Sequence, residues 1–394
     1  MISSDKARKT SLRVMHFLES GGLYGAENVV LNLSREMLKT SEYVPVIGCI
    51  VQDAFEQVAI YDKALSCGIE AHKIVINNKK FPLDIISFLF MMRRINIDLV
   101  HSHGYKASII AFFAMMLLRI PILPTCHLWF FGTGSPLRFR TMIAIEIFLY
   151  RFLKIITVVS LSIKQTLVQR GVPSDRIHII KNGINLDDFQ PVDEGERKRI
   201  REKLGLKIGT PVIMNLGRLT EQKAHCNIVH AARIMKSREL EFVVLIIGEG
   251  ELREALSQQI CEHGVETEVK LLGFRDDARM LLQIADIFLL PSLDEGLPMA
   301  MLEAMASRVP VIATGVGDIP ELFDSAEIGI QIPVNDVHAI AQAIEELLIN
   351  RESNREYAEN AHATILKYYS SNAMFCNYSI LYKNVKLGYT AVNF

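Results

Sequence analysis

Residues 288–314 read Phe-Leu-Leu-Pro-Ser-Leu-Asp-Glu-Gly-Leu-Pro-Met-Ala-Met-Leu-Glu-Ala-Met-Ala-Ser-Arg-Val-Pro-Val-Ile-Ala-Thr. An apolar run ending at Leu290, a loop through Glu295, an apolar helix from Met299 and a second apolar run over 309–313 form one strand–loop–helix–strand unit. Pro298 suits the first helical turn, where its missing N–H costs nothing. Glu295 therefore falls in the loop and Glu303 on the helix. Near-continuous Val/Ile/Leu runs on either side of a helix indicate parallel strands covered on both faces.

Working outward, the same alternation fills the chain. Candidate strands lie at 13–18, 44–51, 99–102, 122–126, 155–159 and 177–181, then at 212–217, 241–247, 269–273, 287–290 and 309–313. Residues 27–38 and 339–348 repeat apolar side chains at helical spacing. The polar stretch 187–210 is the one clear shift in composition, and it separates six candidate strands from five. Each half reads as a doubly wound α/β domain. The expected division is a first domain over 1–190, a linker over 191–210, a second domain over 211–365 and a helical tail over 366–394. That tail carries Tyr369, Phe375, Tyr378 and Tyr382 and needs a surface to pack on.

Composition narrows the function. The 394 residues hold 43 Lys+Arg against 44 Asp+Glu, and half are apolar. Disorder as the main theme is excluded, and so is the basic excess of a dedicated nucleic-acid binder. The 6 cysteines form no CxxC pair, so neither a disulfide scaffold nor a zinc site is indicated, and a reducing cytoplasmic home is expected. Lys6, Arg8 and Lys9 imitate the start of a signal peptide, but Arg13 and His16 interrupt the apolar run after them, and that run reads as a first buried strand. The longest apolar run, 107–118, falls short of the roughly 20 residues that a spanning helix needs.

Between Lys79 and Lys154, however, basic residues greatly outnumber acidic ones, and they adjoin large apolar side chains such as Phe88, Phe90 and Met91. That pattern fits peripheral contact with an anionic membrane at its inner, cytoplasmic face, and equally the rim of ordinary core helices.

Several glycine-containing turns follow strands. Ser20-Gly21-Gly22-Leu23-Tyr24-Gly25-Ala26-Glu27 leads into a helix; its GGxxG spacing is not the dinucleotide fingerprint, and it reads as a phosphate loop or as a tight turn. Gly217-Arg218-Leu219-Thr220-Glu221-Gln222-Lys223 places two cations after a strand's carboxyl end. They either bracket a diphosphate or decorate a solvated loop. Gly248-Glu249-Gly250-Glu251-Leu252-Arg253 repeats the strand–turn–helix theme. Glu303, in an otherwise apolar helix, is costly to bury without partners, which favours a function for it. His101 and His103, at i and i+2 on a strand, point the same way as metal ligands would, but nothing nearby in sequence supplies the remaining ligands.

The GGxxGAE start, the Asn182-Gly183-Ile184 turn, the Arg218…Lys223 pair, GEGELR and the glutamates Glu295 and Glu303 at E-x7-E stand in one order. In that order they resemble the retaining GT-B glycosyltransferases of family 4 (GT4, glycosyl transferases group 1), from about residue 12 to residue 385. The resemblance implies two Rossmann-like domains facing across a cleft, with the C-terminal helix packing back on the first. It implies that Arg218 and Lys223 hold and stabilise the donor diphosphate. Glu295 would contact the donor sugar together with the backbone of Gly296, Leu297, Pro298 and Met299, and Glu303 would bond the ribose. Gly22 and Gly250 would approach the donor, His127 would stand near donor sugar and acceptor, and His103 would be a weaker acceptor-side candidate.

The chain departs from the family pattern at Asn185, where an Asp is usual. Ala224, Arg308 and Asp318 each replace a glycine; the first two touch turn geometry, and Asp318 bears on the donor loop.

The expected activity is metal-independent transfer of a hexose or related sugar from a nucleotide-diphosphate donor to a hydroxyl of a glycan or lipid-linked acceptor, in cell-surface polysaccharide or lipopolysaccharide synthesis. No Asp-x-Asp pair suggests the metal route to leaving-group stabilisation, so no metal and no cofactor are expected. A GT-B-type sugar-nucleotide epimerase and a non-catalytic scaffold are the competing readings.

Overall fold

The computed structural model describes residues 11–23, 25–77, 81–127 and 137–390. Lys6, Arg8, Lys9, Tyr24 and Lys79, which enter the sequence reading, lie outside the described residues.

Among the described residues thirteen strands carry the fold: β1 (Leu12–Glu19), β2 (Tyr43–Val51), β3 (Glu70–Val75), β4 (Leu99–His103), β5 (Ile122–Cys126), β6 (Ile156–Val158), β7 (Ile177–Ile179), β8 (Val212–Leu216), β9 (Val243–Ile247), β10 (Val269–Gly273), β11 (Ile287–Leu290), β12 (Val311–Thr314) and β13 (Gly329–Ile332). They form a seven-stranded sheet in the order β3-β2-β1-β4-β5-β6-β7 and a six-stranded sheet in the order β10-β9-β8-β11-β12-β13. Every pairing is parallel. In each sheet the order reverses once, between β1 and β4 and between β8 and β11, as in a doubly wound nucleotide-binding fold.

All eleven strands expected from apolar runs are present. The two that were not expected, β3 and β13, are edge strands. β3 reads Glu-Ala-His-Lys-Ile-Val and is buried at one position only, and β13 reads Gly-Ile-Gln-Ile. An edge strand with one wet face alternates polar and apolar residues and lacks the continuous run that marks the interior.

Contacts divide the chain into two compact units, 1–183 with 371–394, and 184–370. Residues 191–210, expected as a linker, fold onto the second unit. Helix Glu194–Lys203 starts at Asp193, whose carboxylate accepts from the Glu196 amide at 2.8 Å, and it buries Ile200 in the second unit's core together with Leu206. Its polarity is that of a surface helix with one apolar anchor, which composition alone does not separate from a linker.

Each sheet is covered on both faces. In the first, Met15, Phe17 and Val100 pack with Phe88, Ile110 and Ile147 on one side, while Leu18, Val30, Ile47 and Ile60 pack on the other. In the second, Met214, Leu245 and Phe288 pack with Met301 and Met305 on one side, while Ile213, Ile246 and Leu289 pack with Ile228 and Ile344 on the other.

Helix Arg351–Tyr368 stays with the second unit, and helix Ser371–Thr390 belongs to the first, where it packs on helix Gly25–Leu38. Its aromatic residues are the anchors. Tyr382 meets His101 Nδ1 at 2.8 Å, Tyr378 meets Thr125 Oγ1 at 3.0 Å, and Phe375 packs edge-on against Tyr43.

Ala224 (φ 49°) and Arg308 (φ 56°) both sit in the left-handed region. A glycine would adopt it freely, and a side chain there costs about 1 kcal/mol. Asp318 is different. At φ −90° and ψ 0° it has an ordinary backbone, so losing the glycine there does not disturb the loop.

Candidate active site

Ligands of doubly wound sheets bind outside the carboxyl ends of the strands at the point where the order reverses. In the second unit that point lies after β8 and β11, and the loops leaving these two strands carry Arg218, Lys223 and Glu295. Lys223 ends a short turn, Glu221–Lys223, and its aliphatic stem runs past Gly217, where an added Cβ would lie 3.6 Å from its carbons. Its ammonium donates to Glu295 Oε1. Ser292 Oγ donates to the same oxygen at 2.7 Å, and Ser292 is placed by Thr314 Oγ1 donating to its carbonyl at 2.6 Å.

Both charged side chains are largely withdrawn from water, with 18% and 7% exposure. The two loops are also tied directly, with Leu293 N donating to Gln222 O at 2.8 Å and Gln222 Nε2 donating to Asp294 O at 2.7 Å. Arg218 is exposed on the same β8 loop.

The glycines of this unit are explained by backbone packing. A Cβ on Gly250 would stand 2.4 Å from Leu219 O, and one on Gly248 would stand 1.8 Å from Gly217 O. The GEG turn therefore clamps the Arg218–Lys223 loop, with Leu219 N donating to Glu249 O at 2.9 Å and Leu252 N donating to Leu219 O at 3.0 Å. Gly250, expected against the donor, has its requirement met by this contact. Gly317 (φ 59°) supports the other loop, where its Cβ would strike Glu295 O at 1.8 Å. A Cβ on Gly296 would meet open space. Leu297 and Pro298 are buried and precede helix Met299–Ala306, whose first amides have no intrahelical carbonyl to bond.

Glu303, on that helix, faces Arg279 at 3.5 Å, and Arg279 also pairs with Asp188 at 2.6 Å and lies over the Phe189 ring at 5.3 Å. Burial pushes the Glu303 carboxyl up, while Arg279 pulls it the other way. Asn185, at the position where an Asp is usual, donates to Asp188 Oδ1 at 3.2 Å and so joins this network. Arg279 was not apparent from the sequence: it stands in a loop-side helix with no motif around it.

In the first unit, Gly22 follows β1, and its amide is taken by Ser20 Oγ at 3.3 Å. His103 at the end of β4 and His127 just after β5 are brought together, with Nδ1 of the first 2.9 Å from Nε2 of the second. The expectation that no third ligand stands near His101 and His103 is corrected. The parallel register places His16 of β1 directly beside His101, so His16, His101 and His103 form one buried cluster with ligand atoms within 4.8 Å. The sequence separation of 85 residues between His16 and His101 hid this.

Both His101 nitrogens are engaged, Nδ1 with Tyr382 and Nε2 with Thr125 Oγ1 at 2.6 Å. Burial lowers the basicity of all four histidines, His16 to about 3 and His127 to about 4. In the second unit His225 is also buried, neither ring nitrogen has a partner, and burial lowers its pKa to about 4.

A cavity of about 620 Å³ lies at the opposite end of the second sheet, lined by Arg197, Thr210, Pro211, Asp286 and Arg308. It faces the amino ends of the strands, away from Lys223 and Glu295, and forms no part of their site.

Residues 24–188 match the family described as Glycosyltransferase Family 4, and residues 196–364 match Glycosyl transferases group 1. The UDP-Gal:alpha-D-GlcNAc-diphosphoundecaprenol alpha-1,3-galactosyltransferase of Escherichia coli is 28% identical over 66% of this chain and 68% of its own. The amylovoran biosynthesis glycosyltransferase AmsK of Erwinia amylovora is 34% identical over 44% of this chain and 42% of its own. Among solved structures, Anabaena HepE in complex with UDP superposes with a TM-score of 0.81 at 18% identity, covering 95% of this chain and 100% of that one, a likeness of fold. With both halves matched and both sheets in nucleotide-binding order, the chain belongs to the family 4, group 1 glycosyltransferases and has their GT-B fold of two Rossmann-like domains.

Proposed function

We propose that the protein is a retaining, metal-independent transferase that moves a hexose or related sugar from a nucleotide-diphosphate donor to a hydroxyl of a glycan or lipid-linked acceptor, in cell-surface polysaccharide or lipopolysaccharide synthesis. The observation that carries this reading is the Lys223–Glu295 pair at the switch point, beside the start of helix Met299–Ala306. When the sugar C1–O bond to the diphosphate breaks, negative charge grows on the leaving phosphate. Lys223, Arg218 and the helix N-terminus are the fixed positive groups that stabilise it. Glu295 then turns to hydroxyls of the donor sugar, alongside the backbone of Gly296 to Met299, and Glu303 takes the ribose hydroxyls. The acceptor hydroxyl attacks C1 from the leaving-group face and gives its proton to the departing phosphate oxygen, so the anomeric configuration is kept.

The relatives' names support the pathway. One is named for a diphosphoundecaprenol-linked acceptor and one for amylovoran synthesis, while HepE was crystallised with UDP. The test is product analysis. Nucleotide sugar with a polyprenyl-diphosphate-linked acceptor should release nucleoside diphosphate and give a glycoside of retained configuration. An isomerised donor formed without acceptor would replace this reading with the epimerase, and no turnover of any donor would leave the scaffold.

The acceptor side rests on the first unit's surface. No described helix is long and apolar enough to cross a membrane. Helices Phe81–Arg94, Tyr105–Leu118 and Leu137–Tyr150 pack in series and leave Phe90, Met116, Leu117, Phe148 and Phe152 exposed. Arg93, Arg94, Arg119, Arg151 and Lys154 are exposed beside them. Apolar side chains rimmed by cations suit the headgroup region of an anionic bilayer. The protein should co-sediment with anionic vesicles at low salt and detach as salt rises; equal recovery in the supernatant with and without vesicles would remove the membrane contact.

A further inference from the structure

The histidines of the first unit form an ordered chain. His16 Nε2 faces Met37 Sδ at 3.4 Å, His16 Nδ1 faces His103 Nε2 at 3.2 Å, and His103 Nδ1 faces His127 Nε2 at 2.9 Å. At the far end His127 Nδ1 is sealed from water and has no hydrogen-bond partner. Burial keeps His16, His103 and His127 neutral at pH 7, so each carries one N–H and one lone pair. A thioether only accepts. His16 therefore puts its proton on Nε2, toward the sulfur, and its Nδ1 is an acceptor. His103 must donate from Nε2 and accept at Nδ1, and His127 must donate from Nε2. The reverse order would aim a lone pair at the sulfur and leave a sealed N–H on His127 without an acceptor. A buried orphan N–H is the costlier defect.

His101 runs separately. Thr157 Oγ1 donates to Pro124 O at 2.9 Å, so Thr125 donates to Thr157 and accepts from His101 Nε2, which leaves His101 Nδ1 to accept from Tyr382. With both nitrogens of His101 committed, the cluster is better described as two hydrogen-bond chains than as a metal centre.

We infer that Met37, His16 and His103 are positioning residues that hold His127 in its Nε2–H tautomer, so that Nδ1 offers a lone pair to a hydroxyl of the sugar substrate. This rests on the transferase reading for its ligand, and it makes the position selective for a group that donates: a hydroxyl is accepted and a carbonyl is refused. A hydroxyl that donates to Nδ1 satisfies the one unpaired end of the chain.

Long-range nitrogen–proton NMR on histidine-labelled full-length protein reads each tautomer directly, with or without catalytic activity. His16, His103 and His127 should each show a bare Nδ1 and a protonated Nε2 at pH 7, assigned by loss of signals in single variants. Met37→Leu keeps the volume and removes the acceptor. It should give mixed tautomers at all three rings and raise the KM for the sugar acceptor by about 2- to 10-fold, as loss of one ordinary hydrogen bond would, with kcat changed less. A protonated Nδ1 on His127, or Met37→Leu with unchanged tautomers, would overturn the chain. Stoichiometric zinc uptake that shifts the His16 and His103 signals would replace it with a metal centre. Correct tautomers in a protein that binds no nucleotide sugar would leave the chain standing and remove the transferase reading instead.

Discussion

Lys223→Ala should lower kcat by about 100- to 1000-fold, with a smaller change in the donor KM, because the ammonium acts most strongly on charge that develops as the diphosphate leaves. The same ammonium neutralises Glu295 in a poorly hydrated loop pair. Removing it leaves Ser292 Oγ donating to Glu295 with no cation beside it among the described residues. A thermal unfolding curve for the variant is therefore part of the experiment, because a buried carboxylate deprived of its cation destabilises the loops. Lys223→Arg separates the two effects. It restores the charge but substitutes a planar fork for a point charge, so it should recover stability fully and turnover only in part. Wild-type kcat in a well-folded Lys223→Ala protein would take Lys223 out of the chemistry.

Glu303→Ala should weaken nucleotide-donor binding by about 10- to 100-fold, the range expected for hydrogen bonds to a charged acceptor, while turnover at saturating donor falls much less. The surroundings favour a clean result. Arg279 keeps Asp188 at 2.6 Å and the Phe189 ring when Glu303 is gone, so the variant does not strand a cation. Glu303→Gln preserves shape and should bind donor with intermediate affinity. If both variants bound the nucleoside diphosphate as tightly as wild type yet melted earlier, Glu303 would be a structural partner of Arg279 and the ribose assignment would fall.

Strands that lie inside a sheet were legible because burial on both faces demands an unbroken apolar run. β3 and β13 were not, because β3 is buried at one position only and the four residues of β13 include a glycine and a glutamine, so neither shows an apolar run. The site was legible to the extent that one loop contains it. Glu295 and Glu303 fall in a single strand–loop–helix unit, and Arg218 and Lys223 fall in one turn. What escaped is what the fold brings together over long separations. Lys223 reaching Glu295, Arg279 reaching Glu303, and His16 lying beside His101 depend on which strands are neighbours, and a motif carries no such information. Helix Glu194–Lys203 escaped for another reason, since a surface helix with a single buried isoleucine has the composition of a linker.

The most direct test of the central claim, that Lys223, Glu295 and Glu303 form a metal-free nucleotide-sugar site, is calorimetric titration of the whole protein with UDP, GDP and ADP, first without and then with EDTA. The account predicts saturable binding of one of the three with the same affinity in both conditions. Binding of none, or binding abolished by EDTA, would contradict it.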